Sequence, residues 1–333
     1  MNNDLKKSKD VDNDQQVGTG DLIWMNSSCY RAAANIETGK LQLSLKACAS
    51  SNYFSMRKTK KQIYEKNGIY FMPSYGLLTN PSNEIIGEIN KICELDFEYV
   101  EIGIEGPEGN PDIINKKNDE IMKLLQRFKQ KPIAHTAYWI DLASDYDYIR
   151  HAWVNEAIRE IRIARELGID LINFHANVNG MFYGENRKIV LDNLVKSLRE
   201  LVGHAQKLNV DIMLENTPLS NGIHNIDEFK YIVDNVAMLF VHLDIPHAFT
   251  SGGMKSVIDY INTFRERIIH IHWHDNHGQK DEHLPIGEGF IDHQKAIKAL
   301  KDIGYNRTIT LEVFTNSNDA KSSANQLRTM WSM

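Results

Sequence analysis

Eight short apolar runs, separated by amphipathic helical segments, dominate the chain from Gly68 onward and restrict it to a parallel α/β architecture. The runs are IYFMPSYG (69–76), YVEIGI (99–104), PIAHTAY (132–138), LINFHA (171–176), DIMLEN (211–216), LFVHLD (239–244), IIHIHWHD (268–275) and TITLEVF (308–314). The intervening segments show helical period. In VNEAIREIRIAREL, Val154, Ile158, Ile161 and Ile163 fall toward the strands and Gly168 supplies a stop. The segment from Asn80 to Leu95 opens NPSNE, with Asn and Ser available as caps. Residues 67–333 are close to the roughly 250 residues of eight β/α units, which leaves nothing for a second domain. An open doubly wound sheet would need a glycine-rich phosphate turn after its first strand, and SYGLLTNPSNE contains no GxGxxG. The expected fold is therefore a single-domain (β/α)8 TIM barrel behind an N-terminal extension, residues 1–66. In that extension Met1 to about Gln16 is polar and expected to be disordered, whereas LQLSLKACASS reads equally as strand or helix and receives no function.

A formal charge of -6 and a pI near 6.1 argue mildly against a polyanionic partner. Cys29, Cys48 and Cys93 are odd in number and lack CxxC spacing, so neither a disulfide framework nor a thiolate zinc site is expected. No apolar run approaches the roughly 20 residues that span a bilayer, and the first residues lack the apolar core of a secretion signal. A cytoplasmic protein without a membrane partner is the resulting expectation, and a homo-oligomer is compatible with it.

The last six runs each end in a metal-ligand type: His135, His175, Glu215, Asp244, His272 and Glu312. Successive members are roughly 28 to 40 residues apart, about one β/α repeat, so a closed barrel brings them to one mouth. A lone His in an apolar run is usually a hydrogen-bonded core residue. Six in register are not independent accidents. His247 in LDIPHAF, with Asp281 and His283 in the loop HDNHGQKDEHLPIGEG, adds three candidates just beyond the strand ends. Imidazole with carboxylate suits zinc, manganese or iron better than magnesium. Asn177, Asp275 and His274 are candidates to orient the ligands.

HTAYWIDLAS, INFHAN, LENTP, HLDIPHAFTSGG, HIHWHDN, DEHLPIGEGFID and TLEVF resemble the successive strand-end motifs of the xylose isomerase-like TIM-barrel superfamily, which includes endonuclease IV. The resemblance runs from about Gly68 to Phe314, and LDxxHAFxxG and DxHxxIGEGxI are its most specific pieces. It implies one to three divalent ions per chain, Zn2+ or Mn2+. In the endonuclease pattern His135, His175 and Glu215 hold one ion, and Glu215 bridges to a second held by Asp244, His272 and Glu312. His247, Asp281 and His283 hold the third. Sugar isomerases and epimerases of the superfamily use only the Glu215, Asp244, His272 and Glu312 positions, around one metal.

Two departures favour a sugar or sugar-phosphate substrate over nucleic acid. The loop after the second run, EIGIEGPEGNPD, would set Glu101, Glu105 and Glu108 against a phosphate backbone, and ANVNG stands where the nuclease pattern has a PG turn. The resulting expectation is an isomerase or epimerase working through a metal-stabilised enediolate, with Glu215 and Glu312 as catalytic base and acid. Glu101, Tyr138, Trp139 and Asn177 are expected to bind its substrate. The alternative is a zinc-dependent abasic-site endonuclease, and a sugar-binding barrel without turnover is a third reading.

Overall fold

The computed structural model describes residues 23–27, 30–34, 72–178, 185–218 and 225–333. The chain separates into two units, Met1–Asn67 and Gly68–Met333. In the first, Ile23–Ser27 pairs antiparallel with Tyr30–Ala34. The expected disorder of residues 1–16, the LQLSLKACASS segment, Cys29 and Cys48 lie outside the described residues.

The second unit alternates strand and helix in the order β1 Ser74–Leu78, α1 Ile85–Glu94, β2 Tyr99–Ile104, α2 Pro111–Leu125, β3 Ile133–Thr136, α3 Asp147–Glu166, β4 Leu171–His175 and α4 Glu185–Lys207. It continues with β5 Asp211–Glu215, α5 Ile226–Asn235, β6 Phe240–Asp244, α6 Ile245–Phe264, β7 Ile268–Trp273, α7 His293–Asp302, β8 Thr308–Leu311 and α8 Ser317–Ser332. The eight strands close into one parallel barrel, β8 pairing with both β7 and β1. No described helix is long and apolar enough to cross a membrane.

The helices cover the barrel with the residues their period selects. On α3 the buried side includes Val154, Ile158, Ile161 and Ile163, which join the cluster packed between strands and helices. Inside the ring, a separate apolar layer of Tyr99, Ile133, Met213, Phe240 and Ile269 fills the lower part. Side chains two residues further along a strand point the same way. From this layer the interior climbs through Glu101, His135, Glu215 and His242, each two residues beyond a member of it, while on β7 the register shift places His270 directly after Ile269.

One strand differs from expectation. The first was expected over 69–76 and occupies Ser74–Leu78, residues 69–71 lying outside the described residues. Pro73 has no N–H to give a ladder, and Ser74 N is the donor that reaches Arg307 O at 2.8 Å.

The close approach of β1 and β2 is set by Gly76, where a Cβ would lie 2.4 Å from Cε2 and Cζ of Tyr99. The Tyr99 hydroxyl is tied to Thr310 Oγ1 at 2.8 Å, so the ring has little room to yield. Gly76→Ala should cost about 1–3 kcal/mol through overpacking. Chemical denaturation would show this as an earlier midpoint, and an unchanged midpoint would show that the ring moves freely.

Candidate metal centre

Strand register does the first part of the assembly. His175 stands beside Glu215 across β4 and β5, and Asp244 stands beside His272 across β6 and β7. Glu215 Oε2 lies 3.6 Å from His135 Nε2 and 3.3 Å from His175 Nε2, while Oε1 lies 3.3 Å from His247 Nδ1. His247 is delivered by the first turn of α6, which Asp244 caps by accepting the His247 N–H. Its Nε2 reaches Asp281 Oδ2 at 3.0 Å, and the same oxygen lies 3.1 Å from His283 Nε2. His283 Nδ1 is bonded to the Glu312 carbonyl at 3.0 Å, and Glu312 Oε1 is 3.0 Å from His272 Nδ1. The nine expected ligands thus form one continuous chain of contacts at the C-terminal mouth. His283 adopts a left-handed backbone, φ 52°, a conformation that among non-glycine residues His, Asn and Asp enter most readily.

The donor set fits divalent ions. Both ring nitrogens of His135, Nδ1 of His175 and Oδ2 of Asp244 are buried without a hydrogen-bond partner, an arrangement that is costly unless something else satisfies them. Ligand atoms of His135, His175 and Glu215 lie mutually within 4.8 Å, as do those of Glu215, Asp244 and His247 and those of His274, His283 and Glu312. Burial brings the His175 pKa down to about 4, so at neutral pH its imidazole keeps the lone pair that a metal needs. Burial would raise the Glu215 carboxyl, but His175 and His242 outweigh it and hold it well below the usual range. Glu312 is likewise buried yet held at about 2, chiefly by His272. Asp244 goes the opposite way, pushed up by burial more than His247 can offset, as expected of a desolvated carboxyl.

The centre opens into a cavity of about 820 Å³. Tyr138 and Trp139 stand on its rim, 57% and 44% exposed. The other two expected substrate-binding residues are placed differently. Asn177 is buried and donates its amide to the Tyr138 carbonyl, which fixes the loop after β3. Glu101 lies fully buried below the mouth, where Oε2 accepts from His270 Nε2 at 3.0 Å, His272 Nε2 at 3.1 Å and Thr310 Oγ1 at 2.5 Å. It therefore orients the ring of His272 and does not face the cavity. Gly103, opposite His135, occupies the mouth position on β2. The carboxyl that does line the cavity from this loop is Glu105, whose pKa is raised by burial, opposed by His135 and reinforced by Glu312.

Of the expected supporting groups, His274 Nε2 holds Asp281 Oδ1 at 2.9 Å. Among the described residues the Asp275 carboxylate has no hydrogen bond or ion pair with a ligand. It accepts from Gly287 N, Ile291 N and His293 Nε2, and so shapes the loop that carries Asp281 and His283. Asn173, His242, His270 and Thr310 were not among the expected site residues. All four stand two residues before a strand-end ligand, and that period-2 relation is the signal that identifies them.

Comparison with known proteins agrees with this fold. The family model described as xylose isomerase-like TIM barrel matches residues 89–330. An uncharacterized protein of Methanocaldococcus jannaschii is 31% identical over 235 residues, 68% of this chain and 78% of that protein. A probable endonuclease 4 of Aquifex aeolicus is 25% identical over 250 residues, covering 69% of this chain and 88% of the relative. Among solved structures, a D-tagatose 3-epimerase-like protein superimposes with a TM-score of 0.70 at 27% identity, covering 78% of this chain and 97% of that one.

Proposed function

The chain belongs to the xylose isomerase-like TIM barrel family, and from that premise we propose that it is a metal-dependent isomerase or epimerase of an uncharged sugar. The observation that carries this reading is the charge of the cavity wall. Among the described residues lining it outside the ligand set, the carboxylates Glu88 and Glu105 face a single Lys or Arg, Lys91, which itself lies 3.7 Å from Glu88. The stretches 179–184 and 219–224, which follow β4 and β5 in the chain, contain neither Lys nor Arg. A phosphodiester backbone is held by cationic side chains that displace its counterions. A polyol asks for hydrogen-bond acceptors, which this wall supplies.

In this reading Glu215, Asp244, His272 and Glu312 would hold the divalent ion, which would supply Lewis acidity to adjacent sugar oxygens, and His135 and His175 would bind hydroxyls or a second ion. Glu215 and Glu312 enter the cavity from β5 and from the end of β8. They take a proton from the carbon beside the carbonyl and return one to the enediol, as a base and acid pair. Glu105 accepts a hydrogen bond from a hydroxyl, or donates one when protonated. Tyr138 and Trp139 cover an apolar face of the sugar.

The Glu105→Lys variant is expected to raise KM for the sugar by about 10-fold or more, the scale of a lost hydrogen bond to a charged group, with metal content unchanged. A phosphodiesterase would respond in the opposite sense and gain duplex affinity. Steady-state kinetics and duplex titration on the same preparation separate the two.

A second reading, a zinc-dependent abasic-site endonuclease, is favoured by one specific observation. Asp281 Oδ2 sits between His247 and His283 at 3.0 and 3.1 Å, a set for which a one-metal sugar enzyme has no evident use as an ion site. Three zinc ions per chain together with incision of an abasic duplex would install this reading.

A further inference from the structure

His242 is fully buried on β6, and neither of its ring nitrogens has a hydrogen-bond partner among the described residues. An imidazole withdrawn from water with both nitrogens unused forfeits their hydration for nothing, so a partner should exist in the working protein. The nearest carboxylate is that of Glu215, whose Oε2 lies 3.3 Å from His242 Nδ1. Beside this position β7 carries one extra residue, Ile269. The pairing of β6 with β7 slips between Val241 and His242, an irregularity that sets His242 opposite His270 and Asp244 opposite His272. Such irregularities re-aim side chains next to functional sites.

Two environments compete for the ring. His242, His270 and His272 offer nitrogens within 4.8 Å of one another and so outline a three-histidine metal set. But His270 already spends Nδ1 on Thr308 at 2.8 Å and Nε2 on Glu101 at 3.0 Å. His272 spends Nε2 on Glu101 and turns Nδ1 toward Glu312. Glu215 is the better partner. Its Oε2 already accepts from Asn173 Nδ2 at 2.6 Å, while His135 and His175 approach the same oxygen.

We propose that His242 is a positioning residue for the metal centre, its Nδ1–H donating to Glu215 Oε2 and, with Asn173, fixing the carboxylate that His135 and His175 share. The inference rests on the metal centre and not on the choice of substrate, so it holds for either enzyme reading. A partner of this kind, one step removed from the ion, typically governs metal affinity by 10- to 100-fold.

The test is a titration of the metal-depleted full chain with Zn2+ against a chromophoric chelator, with ion count by elemental analysis. His242→Leu, which keeps the bulk and removes the donor, is expected to weaken the tightest binding by 10- to 100-fold with the ion count unchanged. His242→Asn, whose amide N–H replaces Nδ1–H, should stay within a few-fold of the parent. Thermal unfolding of the metal-depleted proteins shows whether each variant keeps the fold. If His242→Leu does not, the comparison passes to His242→Asn against His242→Gln, which places its amide further out and should lose the affinity that Asn retains. Parent-like affinity in His242→Leu overturns the proposal, as does equal weakness of the Asn variant and its partner. A loss of one ion per chain overturns it too, by making His242 a ligand.

Discussion

Glu215→Gln is expected to lower turnover by a factor on the order of 10² to 10⁴ while leaving the barrel folded. The carboxylate is where the whole centre meets: Oε2 is shared by His135, His175, His242 and Asn173, and Oε1 faces His247. Glutamine keeps the volume and can still accept from Asn173 through its carbonyl. It loses the charge that draws the surrounding imidazoles together and the basic oxygen that moves a proton. Single-turnover kinetics on the metal-loaded variant, with its melting curve alongside, reads the two effects apart. Near-parental turnover would remove Glu215 from the chemistry, and a lost melting transition would make the residue structural.

The double change Asp281→Asn with His283→Gln separates the two enzyme classes. Asp281 is engaged through both oxygens, with Oδ2 on His247 and His283 and Oδ1 on His274. In a one-metal sugar enzyme these groups hold no ion during turnover, so one tightly bound metal should remain. In a nuclease the ion content should fall from three toward two, and cleavage should vanish because the missing ion would no longer orient the phosphate. Elemental analysis of parent and variant, each dialysed against the same buffer, reads this directly.

The barrel was legible because the strands carry short apolar runs and the segments between them helical period, as Val154, Ile158, Ile161 and Ile163 show on α3. The candidate ligands were legible because strand ends in a closed parallel ring share one mouth. Beneath that mouth the reading thinned out for a physical reason. Asn173, His242, His270 and Thr310 sit inside apolar runs, where a single polar residue ordinarily signals a hydrogen bond in the core. Their common offset of two from a ligand acquires meaning only once the neighbouring strands are in register. Glu101 was expected to face a substrate because the EIG of YVEIGI resembles the corresponding stretch of sugar-processing members of the superfamily. The pairing of Gly103 with His135 puts it one layer lower, where it accepts from His270 and His272. The first strand begins at Ser74, directly after Pro73, which has no donor for the ladder.

The central claim, proton transfer on an uncharged sugar, is tested most directly in D2O. The metal-loaded protein is incubated with a panel of ketoses, and the C–H signals beside the carbonyl are followed by proton NMR. The account predicts that at least one ketose exchanges hydrogen for deuterium at that carbon, that the exchange stops when a chelator removes the metal, and that it falls in the Glu215→Gln protein. No exchange on any ketose, with metal-dependent incision of an abasic duplex by the same preparation, would contradict it.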